Sequence, residues 1–272
     1  MVITSVIDNE SRCKLAAEHG LSLHIALKNG INILFDTGKS ELFASNSSLL
    51  GIDITNVDIA VISHGHYDHG GGLGHFLKLN SKAPVYIHSK AFQPHYSLKE
   101  EGLKYIGLDT SIQNSPRLIF CNGITTIHPE VIVFSDVEKK YQQPLGNRLL
   151  FGPQQDENDT FTDEQNLIIT EGSNHILIAG CAHRGILNIL ESATKIIGIP
   201  PTHVFAGMHL IKSGLAPEEE RVSICSLAEQ LMEYKETMFY TMHCTGMKQF
   251  CTLREKMNRQ IEYLSSGKII EL

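Results

Sequence analysis

The stretch His64-Gly65-His66-Tyr67-Asp68-His69-Gly70-Gly71-Gly72 constrains this chain more than any other. It directly follows the apolar run Val57-Asp58-Ile59-Ala60-Val61-Ile62-Ser63, so a cluster of imidazoles and one carboxylate stands where a strand gives way to glycines. His64 and His66 are two apart, and an extended or tightly turning backbone can direct both rings to one side. Two neutral imidazoles placed that way suit zinc or iron. Asp68 and His69 come next and point a second set of ligands the other way. The surrounding glycines permit the tight, partly left-handed backbone that such a loop requires.

This spacing resembles the His-x-His-x-Asp-His signature of the metallo-β-lactamase superfamily, here His64, His66, Asp68 and His69. The resemblance implies an α/β fold, the αββα four-layer sandwich, and places further ligands at later strand ends. His183 follows the apolar run His175-Ile176-Leu177-Ile178-Ala179-Gly180 and would join His64 and His66 in one site. His243, after Met238-Phe239-Tyr240-Thr241-Met242, would complete a second site with Asp68 and His69. An Asp at the end of the strand Ile31 to Phe35 commonly braces the metal loop in the superfamily, so Asp36 is expected to support the ligands. A turn-capping role for Asp36 is the alternative.

One position departs from the pattern. Many members carry a metal-bridging Asp at the end of the strand that here reads Thr202-His203-Val204-Phe205-Ala206, and this chain has Gly207, Met208 and His209 instead. Asp163 is not in the expected position to replace it. Either His209 faces the site as ligand or substrate contact, or the second metal is weak or absent. Cys244 reads as a small buried residue beside His243 rather than a ligand.

A narrower similarity runs through Glu18-His19-Gly20-Leu21-Ser22, Asp163-Glu164-Gln165, Gly180-Cys181-Ala182-His183-Arg184-Gly185, Gly207-Met208-His209-Leu210 and His243-Cys244-Thr245-Gly246. These segments resemble the branch named for the dihydropterin-methyl ribofuranosylaminobenzene phosphate synthase of methanopterin biosynthesis. Many members of that branch come from organisms without the pathway, so the name is a weak guide to substrate.

With 272 residues, 42% of them hydrophobic and 19% charged, the chain can bury a substantial core as one domain spanning 1–272. The net charge of −7 and the absence of a Lys/Arg-rich run argue against nucleic acid as a partner and leave a small, anionic substrate compatible. Asp8, Glu10 and Arg12 interrupt the N-terminus too early for a signal-peptide core, and no apolar run approaches membrane-spanning length. A cytoplasmic protein is therefore expected, with no membrane partner. Its six dispersed cysteines, Cys13, Cys121, Cys181, Cys225, Cys244 and Cys251, read as reduced thiols.

Along the chain, Val2 to Ile7 reads as a strand, and Asn29-Gly30 between two apolar runs signals a two-residue hairpin with positive φ at both positions. Helices are expected over Ser40 to Leu50, Leu73 to Leu79, Ser89 to Tyr96, Ile186 to Ile197, from Pro217, and Met247 to Met257. The region from Leu98 to Asn147 carries strands at Arg117 to Phe120 and Val131 to Phe134. Residues 139–163 are polar and form a long loop, read as a flap or a surface insertion. Arg148 and Phe161 are its candidate substrate contacts. His19 can approach the mouth of the site, and the spacing gives no reason to bring His88 or His95 there.

A metal with three His ligands lowers the pKa of bound water to about 7, and a second ion can hold a leaving oxygen. The resemblance thus implies a metal-dependent hydrolase of a phosphoester, ester or lactone. It would use zinc, one or two per chain, with manganese or iron as alternatives. Asp68 would orient the nucleophile as well as bind metal, and His209 could donate a hydrogen bond to substrate. The alternatives are a pterin-linked transferase and a catalytically silent metabolite-binding protein. No dinucleotide fingerprint or Walker loop offers a competing site.

Overall fold

Period-two burial on the central strands decides the layering. The computed structural model describes residues 1–11 and 14–272. The first half runs β1 (Val2–Ile7), β2 (Ser22–Ala26), β3 (Asn32–Phe35), α1 (Leu42–Leu49), β4 (Ile59–Val61), α2 (Tyr67–Gly70), α3 (Leu73–Leu79), β5 (Val85–His88), β6 (Tyr96–Lys99), β7 (Gly102–Tyr105) and β8 (Leu118–Cys121). The second runs β9 (Ile124–His128), β10 (Val131–Phe134), β11 (Leu150–Phe151), β12 (Asn166–Glu171), β13 (Asn174–Ala179), α4 (Ile186–Ile197), β14 (His203–Ala206), α5 (Pro217–Leu231), β15 (Met238–Thr241), α6 (Met247–Met257), β16 (Ile261–Tyr263) and β17 (Ile269–Glu271).

One seven-stranded sheet has the order β17-β1-β2-β3-β4-β5-β8, and the other has the order β16-β15-β14-β13-β12-β10-β9. Ile33, Phe35, Ile59 and Val61 of the first sheet meet Ile176, Ile178 and Phe205 of the second in a shared core. The alternate residues turn outward. Leu34, Ala60 and Val85 pack against Phe43, Leu73 and Phe76 of α1 and α3, and Leu177, Val204 and Phe239 against α4, α5 and α6. Strands buried on both faces need helices on both outer sides, and the result is the αββα sandwich.

Several local expectations are corrected. Leu27 accepts from Gly30 N at 3.0 Å and donates to Ile31 O at 2.9 Å, and only Gly30, not Asn29, has positive φ. The hairpin therefore closes through a three-residue loop with glycine in the left-handed position. Residues 89–93 form turns rather than a helix, and Tyr96 already begins β6. Pro94 lacks the N–H for a helical bond and pushes Gln93 out of the helical region. Beyond it, β6 and β7 form a hairpin that β11 joins to make a three-stranded sheet. Cys121, Cys181, Cys225, Cys244 and Cys251 are free thiols, and Cys13 lies outside the described residues. No helix among the described residues is long and apolar enough to cross a membrane.

Parallel pairing aligns the carboxyl ends of β3, β4 and β5 in one sheet and of β13, β14 and β15 in the other. The histidine loop leaves β4 at this edge and is packed tightly there. A Cβ on Gly65 would lie 2.1 Å from Ala91 O, whereas one on Gly74 in α3 meets only Ile112 Cγ2 at 3.8 Å. Gly65→Ala should therefore cost at least about 1–3 kcal/mol in denaturant unfolding. Gly74→Ala, made in parallel, should be neutral or stabilising by up to about 1 kcal/mol.

Candidate metal centre

Six predicted side chains, those of His64, His66, Asp68, His69, His183 and His243, meet where the strand ends converge. His64 Nε2 and His66 Nδ1 are 3.0 Å apart, and the His183 ring lies 5.0 Å from each of theirs. The His69 and His243 rings are 4.9 Å apart, with His243 Nε2 at 3.3 Å from Asp68 Oδ2. His64 and His69, with ring centroids 4.2 Å apart, join the two groups. All six are buried.

The far nitrogens show which lone pairs face inward. Asp36 Oδ2 accepts from His69 Nδ1 at 2.6 Å and from Ser63 Oγ at 2.8 Å. With its proton so used, Ser63 Oγ accepts from His64 Nδ1 at 2.9 Å. Asn147 donates to His183 O at 2.8 Å and accepts from His183 Nδ1 at 2.9 Å. Asn9 Oδ1 accepts from Gly20 N at 3.1 Å and faces His243 Nδ1 at 2.8 Å. The Nε2 atoms of these histidines are thus left for the centre, and that of His183 is buried without a partner. Outer hydrogen bonds of this kind set tautomer and ring orientation at metal sites. The groups His64, His66, His183 and His19, Asp68, His243 each bring their donor atoms within 4.8 Å of one another, a donor set that fits a divalent ion.

Electrostatics agree with that fit at the first group. Burial, reinforced by neighbouring imidazoles, holds His64 and His183 far below the usual imidazole range and pushes His66 down to about 3. These rings are neutral, as metal ligation requires. Burial opposes charge on Asp68 too, but hydrogen bonds from His19 and His243 keep its carboxyl well below the ordinary value. For His243, burial is outweighed by Asp68, which lifts it to about 9.

The other predicted residues divide. Asp36 braces the loop as described, and its φ is +60°. His19 Nε2 is 3.1 Å from Asp68 Oδ2 and its side chain is 48% exposed, so it stands at the mouth. His209 faces the centre, with its ring 4.4 Å from that of His183 and its buried Nδ1 unpartnered. Phe161 is buried and stacks on His183 at 4.2 Å, backing that ring rather than presenting a free face. Arg148 is not brought in. Its guanidinium bonds Leu145 O and Ser213 O, both at 3.3 Å, at the surface.

Several participants carry little signal in the sequence. Asn147 lies in the polar segment 139–163, and nothing marks it among its neighbours. Asp8 and Asn9 could have been noticed as a polar pair directly after β1. Asp8 Oδ2 accepts from His243 N at 2.6 Å. His95 reaches the edge of the centre, 5.2 Å ring to ring from His66, held by Asp159 at 2.6 Å. Asp163 accepts from Gly65 N at 2.7 Å and lies 3.5 Å from His95 Nε2. Cys181 Sγ lies 3.1 Å from His69 Nε2. Asp36, Phe161, His209 and His243 all have left-handed φ between 45° and 60°, a conformation that costs of order 1–3 kcal/mol per residue and collects at functional sites.

Comparison with known proteins agrees with this geometry. The family model described as the metallo-beta-lactamase superfamily matches residues 20–204. The chain is 29% identical over 271 residues to the 7,8-dihydropterin-6-methyl-4-(beta-D-ribofuranosyl)-aminobenzene-5'-phosphate synthase of Methanocaldococcus jannaschii, covering 94% of this chain and 90% of that one. It is 30% identical over 278 residues to an uncharacterized protein of the same organism, covering 99% of both. The crystal structure of Tm1679, described as a metal-dependent hydrolase of the beta-lactamase superfamily, superposes with a TM-score of 0.82 at 29% identity, over 100% of this chain and 99% of that one.

Asn147→Ala removes the partner of His183 Nδ1 without touching the inward nitrogen. Metal affinity, followed by chelator competition, should fall about 10–100-fold while the fold is kept.

Proposed function

The chain belongs to the metallo-beta-lactamase superfamily, and on that premise we propose that it is a metal-dependent hydrolase of a small phosphoester, ester or lactone. The observation that carries this reading is the convergence of His64, His66 and His183 beside Asp68, His69 and His243, with the outer nitrogens of four of the histidines engaged elsewhere. Zinc suits that donor set, with manganese or iron as alternatives. A divalent ion bound there would supply Lewis acidity, lowering the pKa of a coordinated water toward about 7 and drawing charge from the leaving oxygen.

The chain's own residues orient the reaction. Asp68 accepts a hydrogen bond from the attacking water and fixes its direction. His19, half-exposed beside Asp68, passes a proton between that carboxylate and solvent. His209 Nδ1, buried and unpartnered, donates to a substrate oxygen. Segment 139–163 acts as the cover of the site on the His183 side, where Asn147 and Phe161 exclude water. His209 also lines a cavity of about 540 Å³, with Tyr141, Leu187, Leu210 and Leu227 among its walls, large enough for an apolar part of a substrate.

Group transfer is the second reading, and the near-full-length similarity to the synthase favours it. Negative charge on a phosphate or diphosphate leaving group would then be met at the same centre. A dihydropterin that raises the thermal midpoint, with no hydrolysis of phosphoesters or lactones, would select transfer over hydrolysis.

Elemental mass spectrometry on protein purified without chelators should find about two metals per chain, falling to about one in His243→Ala. One metal or none, unchanged in that variant, would sink the two-site reading. With a turned-over substrate, His183→Ala should abolish activity. His209→Ala should lower kcat by about 10²–10³-fold, the loss expected when a donor to developing charge is removed.

A further inference from the structure

At the end of β14, where the superfamily pattern has a bridging Asp, this chain has Gly207, and the structure shows why no side chain stands there. A Cβ on Gly207 would lie 2.6 Å from Cys244 Sγ, 2.8 Å from Gly180 O and 3.5 Å from Cys181 Cα. The space is filled from the flanking strands, by Cys181 beyond β13 and Cys244 beyond β15, both buried. We propose that Cys181 is a metal ligand, its thiolate occupying the place between the two metal sites that a carboxylate from position 207 would otherwise take.

One sulfur reaches both groups of ligands. Cys181 Sγ is 3.1 Å from His69 Nε2. It lies within 4.8 Å of donor atoms in three sets: with His64 and His69, with His183 and His209, and with His243 and Cys244. His183 Nε2, buried and without a partner, belongs to the second of these sets. Cys244 does not compete for the role. Its Sγ accepts from His209 N at 3.3 Å and donates to Cys181 O at 3.6 Å, so its proton and one of its two lone pairs are used on backbone, whereas Cys181 Sγ faces His69 Nε2.

The chemistry has a consequence for the metal. Coordination removes the thiol proton outright, giving a soft, anionic ligand in place of a hard carboxylate. Such a site prefers zinc or iron to manganese or magnesium.

The inference rests on the metal centre proposed above, and zinc K-edge X-ray absorption on the zinc-loaded full chain, with zinc counted in the same samples, separates the two. A sulfur scatterer at about 2.3 Å is expected beside nitrogen and oxygen. It should persist in Cys244→Ser and be lost in Cys181→Ser. In the cobalt-substituted protein the thiolate-to-cobalt charge-transfer band should follow the same pattern. Zinc bound by nitrogen and oxygen alone in the unmodified chain would overturn the ligand assignment and leave the metal centre standing. Loss of the sulfur signal in Cys244→Ser would also overturn it, as would its survival in Cys181→Ser. Absence of bound zinc would remove both readings. The unmodified and Cys244→Ser spectra decide the question even where Cys181→Ser does not fold.

Discussion

A single buried carboxylate carries the histidine loop. Asp36 has no exposed surface, and it accepts from Ser63 N at 2.7 Å, Ser63 Oγ at 2.8 Å and His69 Nδ1 at 2.6 Å. A buried charge is tolerated only when its lone pairs are filled with good geometry. Here the partners are the residue that ends the β4 run and the last histidine of the motif. The carboxylate thus ties the start of the loop to its end and fixes two tautomers, that of His69 directly and that of His64 through Ser63. Removing it would leave a buried hydroxyl, an amide and an imidazole unpaired at once.

The histidines of the far sheet are braced as well, by amides and carboxyls. His183 is held by an amide, Asn147, and its backbone N–H is taken by Glu164 at 2.6 Å, whose carboxyl burial pushes up to about 8. His243 is held by Asn9 and by Asp8. The candidate ligands come from strand ends of both sheets, and the brace of His243 crosses between them, because Asp8 and Asn9 follow β1 of the first sheet; the shared core sets the distance between the sheets. Phe205 and Phe35, both without exposed surface, belong to that core. Packing in the core is close enough that a shift of one sheet would be transmitted to the centre.

Most of this was legible in the sequence because it is written locally. The His64-to-His69 spacing, the alternation along Ile31 to Phe35 and His175 to Ala179, and the strand-ending glycines all act over a few residues. The candidate ligands at 183 and 243 were legible only through family resemblance, since nothing local says that two strand ends far apart in sequence will meet. What stayed hidden depends on tertiary contact alone. Asn9 and Asn147 reach histidines 234 and 36 residues away, and an asparagine in a polar segment looks like any other. The spacing gives no reason to bring His95 to the site, yet the tertiary fold sets its ring 5.2 Å from that of His66. Arg148, by contrast, bonds backbone carbonyls at the surface. A cation in a covering segment suggests an anion site, but backbone carbonyls can satisfy a guanidinium without any substrate.

The empty corner at Gly207 shows how a departure from a pattern can be physically meaningful. Read alone, the missing carboxylate suggests a weakened second site. In three dimensions the glycine is required, because the sulfur of Cys244 and the carbonyl of Gly180 leave no room for a Cβ. The parallel register sets this packing: Ala179 pairs with Ala206, and Gly207 N donates to Gly180 O at 2.8 Å, which brings the Cα of Cys181 to 3.5 Å from a Cβ at position 207. A site judged from ligand positions in sequence would be scored as incomplete. Judged from the donors that reach its centre, it has a further sulfur.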